Sequence, residues 1–297
     1  MAESAVVQTS KWRSFWNNGG WWKALLLVVF YWVLYQGVAW LIHTLFAGMM
    51  TPGGTFASAQ NVLIGQTLSI LVTGLLMLAL AWSFGWLKEL FGPQPIRGSW
   101  WMWLAVVVVL GFNAVRYVAV DYQAVGVGVT LMTLFLGLCI GFTEELVCRG
   151  FAVQLLRRGG YSEWVVAALS SLLFGILHAG NFIGTTDLLP VIVLVAYTFT
   201  FGVLMYLSMR VSGTLILAIL LHASTDPSQF LITGAIGEQG QVGEVSALLP
   251  IANLANPVVI IVGLVLLIFI RGRVGRAHYG LGDRVGYRPK GVDGFLI

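Results

Sequence analysis

Charge is what this chain has least of. Asp, Glu, Lys and Arg make up 9% of its 297 residues, where soluble domains carry about 25%. Hydrophobic residues reach 58%. A soluble fold cannot hide that much apolar surface. The apolar residues come in long continuous runs, so a lipid bilayer is the solvent that suits them. Cysteine is scarce too. Cys139 and Cys148 lie in or beside one apolar stretch and lack the spacing of a metal knuckle or a redox pair, which leaves them as helix packing. The net charge of +4 is not gathered into a stripe, and its scatter over helix ends and a C-terminal tail argues against nucleic acid. No small-residue cleavage site follows the basic flank Lys11, Arg13 and Lys23. The run of about 22 apolar residues after it is expected to be a retained first helix rather than a signal peptide.

Eight apolar runs stand out, near residues 24–45, 62–84, 99–115, 125–148, 164–182, 188–209, 213–232 and 248–270. Lipid offers the backbone no hydrogen-bond partner, so spanning segments must be helices or closed barrels, and runs of this length are not barrel strands. The expected fold is therefore all-α, a polytopic membrane bundle of about eight transmembrane helices. Residues 1–23 are expected to form a cytoplasmic N-terminal segment, 24–270 the bundle with a catalytic core at about 125–232, and 271–297 a basic cytoplasmic tail. The basic residues test this order, because cytoplasmic loops are enriched in Lys and Arg. Fifteen of sixteen fall at the termini or in every second loop, consistent with eight spans and both termini inside; Arg116 is the exception. The expected location is a bacterial cytoplasmic membrane. Trp21, Trp22, Trp86, Trp100 and Trp164 fall at the inner ends of spans, where they serve as interfacial anchors. The tail is expected to be flexible and to touch anionic headgroups.

Against this background Glu144 and Glu145 interrupt the apolar helix LCIGFTEELVCRGF. An ionisable group there is costly and calls for a reason. Glu145 and Arg149 stand at i and i+4, acid before base, the favourable order for a structural ion pair. Glu144 is rotated about 100° away and has no such partner on its own helix. His178 and His222 also lie inside spans. Counted from the inner-face charges at about 1.5 Å per residue, Glu144 lies about 20 Å deep from Arg157, His178 about 22 Å from Glu163, and His222 about 18 Å from Arg210. Three polar groups on three helices thus share one level. Asp226 follows His222 at i+4 and can accept from the imidazole. Pro227 comes next and is expected to end or kink that helix. Phe174 shares the face of His178, to pack on the imidazole or wall off lipid. A carboxylate, two imidazoles and an acid in one wet pocket suit hydrolysis, in which a base takes a proton from water and donors meet the oxyanion. No Ser or Cys is evidently paired with a base, although Cys148, Ser224 and Thr225 lie close by.

Glu144-Glu145 with Arg149 (E-E-x-x-x-R), Phe174 with His178 (F-x-x-x-H) and His222 with Asp226 (H-x-x-x-N/D) resemble the three motifs of the CPBP family. These are the intramembrane CAAX prenyl endopeptidases and bacteriocin-processing or Abi proteins. The resemblance covers about residues 125–232. It implies an intramembrane glutamic endopeptidase without a cofactor, in which Glu144 with His178 activates water while His222 and residue 226 stabilise the oxyanion. Glu145, Arg149 and Phe174 would support them. Position 226 is Asn in the eukaryotic prenyl endopeptidases. An ionised Asp cannot donate as an amide can, so Asp226 is expected to orient or charge His222 unless it carries a proton. The expected partners are the bilayer and a peptide or membrane-protein substrate, with no nucleic acid.

Three other readings use the same residues. A zinc hydrolase would take His178, His222 and Glu144 as ligands with water as the fourth, though no H-E-x-x-H helix supports it. A non-catalytic scaffold or immunity protein would keep the fold without the chemistry. A proton-coupled transporter would use the buried acid and histidines, but the paired broken helices of such proteins are missing.

Overall fold

The computed structural model describes residues 10–180, 187–233 and 248–282; these are helical, apart from turns, loops and one isolated bridge between Ser162 and Arg273. A short helix α1 (Lys11–Asn17) precedes α2 (Trp21–Phe46), α3 (Ala59–Phe84), α4 (Trp103–Ala119), α5 (Val127–Arg158), α6 (Glu163–Ala179), α7 (Leu188–Ser212), α8 (Leu215–Thr233) and α9 (Leu249–Ile268). Every apolar run of the sequence is thus a helix. Among the described residues seven helices are long and apolar enough to cross a bilayer, and the chain is a polytopic all-α bundle. The fifth run, α6, is shorter at 17 residues. It reaches about 25 Å against a hydrocarbon core of about 30 Å. Its start explains the deficit, because Glu163 is buried inside the protein instead of lying at the lipid surface.

Small residues set how closely the central helices approach. Gly137 and Gly141 lie one turn apart on α5, facing α8. A Cβ at Gly141 would lie 2.5 Å from Ala223 N, and one at Gly137 would lie 2.1 Å from Pro227 Cγ. This is the close backbone contact that small-xxx-small patterns allow in lipid, where dispersion and geometry replace the hydrophobic effect as the driving force. Pro227 does not end its helix: α8 runs through it to Thr233. The Ala223 carbonyl, four residues before Pro227, packs against Gly137, 2.6 Å from where a Cβ would sit. The lost i to i−4 bond is tolerated because neighbouring helices enclose the site.

Charges close one end of the bundle. Glu163 accepts from Arg157 Nη2 at 2.7 Å, from Arg210 Nη1 at 3.3 Å and from the Tyr206 hydroxyl. Arg157 also reaches Gln94 Oε1 at 2.8 Å, and Arg210 the Arg97 carbonyl at 2.9 Å. These side chains tie three helices to the loop before α4.

Two expectations change here. Trp86 is buried, donates to Asn17 Oδ1 at 2.8 Å and carries the Arg158 guanidinium 4.7 Å from its ring, so it packs the protein instead of anchoring it. Trp21, Trp22, Trp100 and Trp164 are exposed, as anchors must be. The first part of the tail is docked: Gly272 O accepts from Glu163 N at 2.9 Å, Arg276 bonds the Arg158 carbonyl, and Tyr279 stacks under Arg158. Arg284, Arg288 and Lys290 lie outside the described residues.

Candidate active site

The α-helical part of α5 ends at Glu145, and Leu146–Ala152 form a π-helical turn, all seven residues buried. Such a turn takes in an extra residue, shifts the faces that follow, and is frequent at functional sites. It begins directly after the two glutamates. Arg149 lies within it and still reaches back to Glu145, Nη1 to Oε1 at 3.1 Å. The ion pair expected from the i, i+4 spacing is therefore present and sealed, with neither side chain exposed.

Glu144 points to the other side. Its Oε2 lies 3.9 Å from His178 Nε2 on α6 and 3.8 Å from His222 Nε2 on α8. Asp226 Oδ2 stands 3.5 Å from the same His222 nitrogen. The common level counted along three helices is thus a common place. The far nitrogens are held. His178 Nδ1 lies 2.9 Å from the Phe174 carbonyl, which can only accept, so Nδ1 carries the hydrogen and Nε2 offers its lone pair to the centre in the neutral ring. His222 Nδ1 lies 2.8 Å from Glu145 Oε1. Exposure divides the group in two. Glu144, His178 and Asp226 keep 17%, 21% and 21% of their side chains open, whereas His222 keeps 2%.

Phe174 is buried and does not face lipid. Its ring meets His178 at 4.5 Å and His222 at 5.6 Å between centroids, and the Arg149 guanidinium sits 4.4 Å from it. Ser224 and Thr225 are used structurally. Each donates to the Leu221 carbonyl and accepts from Asn113 Nδ2, so neither hydroxyl is aimed at an imidazole. Cys148 is fully buried in the π-helical turn.

Residues 126–227 match a family model described as type II CAAX prenyl endopeptidase Rce1-like. That segment is similar to the Rce1-like family. The matched segment begins at the start of α5 and ends one residue after Asp226, so it contains every residue of the three motifs. No curated protein and no solved structure matches the chain. At the coarse level the Rce1-like family is one of membrane peptidases, and the recognition drawn from the motifs holds.

The matched segment has an acid, Asp226, at the third motif's last position, and that acid lies beside His222 as the i+4 spacing predicts. Two features of the site escaped the sequence reading. The Glu145–His222 contact joins residues 77 apart, and nothing local marks it. Phe201 of α7, edge-on to His222 at 5.1 Å, is one apolar residue among many. A usable signal was present in Gly137 and Gly141, whose spacing marks the face of α5 that approaches α8. Glu144, His178 and His222 present the donors a metal would need, yet no group of three His, Cys, Asp or Glu among the described residues has a metal-holding arrangement.

Proposed function

We propose that the chain is an intramembrane endopeptidase that hydrolyses a peptide bond with water activated by Glu144. The observation that carries this reading is the position of Glu144 Oε2, 3.9 Å from His178 Nε2 and 3.8 Å from His222 Nε2. Those separations exceed a direct hydrogen bond and suit a small polar group held among the three. In the reaction, Glu144 takes a proton from water while the His178 Nε2 lone pair accepts its second hydrogen. The water oxygen attacks the scissile carbonyl carbon. His222, in its Nε2–H form, donates to the oxyanion that develops. Collapse breaks the C–N bond, and the proton held by Glu144 passes to the leaving amine. Asp226, beside His222, supports the charge of the ring. The chain needs no metal in this scheme. The substrate is a peptide or a segment of a membrane protein that reaches the site within the bilayer, and both termini of the enzyme lie on the cytoplasmic side.

Comparing the cleaved termini in membranes carrying wild type and Glu144→Ala identifies the substrate. With that substrate in detergent or liposomes, Glu144→Gln should lower turnover by about 10²- to 10⁴-fold at normal abundance. Wild-type turnover by that variant would remove Glu144 from the mechanism and put the scaffold and transporter readings ahead.

A further inference from the structure

We infer that Glu145 and Arg149 are positioning residues for His222, holding its Nδ1–H so that Nε2 is presented to the reacting carbonyl. This rests on the hydrolytic reading above and extends it to a pair whose spacing alone marks it as structural. Glu145 Oε1 lies 3.1 Å from Arg149 Nη1 and 2.8 Å from His222 Nδ1, so a single oxygen accepts from both partners. A pair that served only its own helix would have no need of a ring from α8. Glu145 and Arg149 are sealed from the pocket, with side-chain exposure of 0% each. They cannot touch substrate and can act only through His222.

The remaining contacts close a ring around that histidine. Arg149 lies over Phe174, and Phe174 meets His222 edge-on at 86° between planes. Phe201 meets the same imidazole at 75°. Between them the two aromatic rings and the Glu145 oxygen fix the rotation of the imidazole. On its other side Nε2 faces Asp226 Oδ2 at 3.5 Å and Glu144 Oε2 at 3.8 Å. Carboxylates at both ring nitrogens are satisfied together only when both nitrogens carry hydrogen. That is the form in which Nε2 can donate to an oxyanion. Arg149 gives the buried Glu145 a cationic partner at 3.1 Å, where an unpaired charge would be costly.

The test compares Glu145→Gln/Arg149→Met, which removes both charges without stranding either, with wild type and Glu144→Gln in one proteolysis assay. The double variant should accumulate as folded protein. Its kcat should fall between about 10- and 10⁴-fold, the range seen when the partner that orients a histidine is lost, with KM within about twofold. Glu145→Asp, which keeps the charge but withdraws it from Nδ1, should also lower kcat at steady KM. A purely structural pair would lower abundance and leave kcat per folded molecule unchanged, and that result overturns the inference. An active Glu144→Gln would instead overturn the hydrolytic reading beneath it, so the two failures are distinct.

Discussion

Gly141 on α5 packs so closely on Ala223 of α8 that a Cβ would lie 2.5 Å from the Ala223 nitrogen. Backbone cannot yield as a flexible side chain can, so Gly141→Ala must push the two helices apart. Glu144 is on one of them and His222 on the other. The expected loss of stability is about 1–3 kcal/mol from overpacking. A misplacement of about 1 Å should cost turnover about 10²-fold. Gly111→Ala on α4, where nothing lies within 4 Å of the new Cβ, is the matched control and should change neither. Thermal stability in detergent and turnover per folded molecule report the two effects. Wild-type behaviour of Gly141→Ala would show that the helices are not in contact there.

Arg149→Ala leaves Glu145 charged and buried without its cation. Breaking a buried pair by removing one partner costs about 3–5 kcal/mol, so folded protein in the membrane should drop sharply. Fluorescence-detected size exclusion measures this directly. Normal abundance would show that Glu145 needs no neutralising partner in this site.

Glu144, His178 and His222 are expected to act as one unit. His178→Ala and His222→Ala should each be nearly as damaging as Glu144→Gln, and combining either with Glu144→Gln should add little further loss. Chelators should leave the wild-type rate intact. Activity abolished by chelation and restored by zinc would transfer the assignment to a metalloenzyme with Glu144, His178 and His222 as its ligands.

Topology offers a check independent of chemistry. Reporter fusions at the N-terminus and after Arg276 should both register the cytoplasmic side, in keeping with the alternation of basic residues. A C-terminal reporter active outside would mean an odd number of crossings. The short α6, at 17 residues, would then be the first helix to question.

Much of this was legible in one dimension because the bilayer imposes a simple rule. A segment that crosses lipid must satisfy its own backbone and bury few charges. Length and apolarity therefore locate the helices, and any acid or imidazole left inside them stands out. Glu144, His178, His222 and Asp226 are visible on that ground, as is the Glu145–Arg149 pair, whose spacing is local to one helix. Which nitrogen of His222 meets which carboxylate is not local. It depends on the approach of α5 to α8 through Gly137 and Gly141, and on aromatic rings from α6 and α7. The same limit explains the places where local rules misled. Pro227 reads as a helix end or a kink, and of the two the end is ruled out, because α8 continues through it against Gly137. Trp86 reads as an anchor, yet Asn17 and Arg158 draw it inside. Periodicity and burial cost act along the chain and are written in the sequence; the pairing of side chains across helices is decided only when the helices dock, because it rests on distances between residues far apart in the chain.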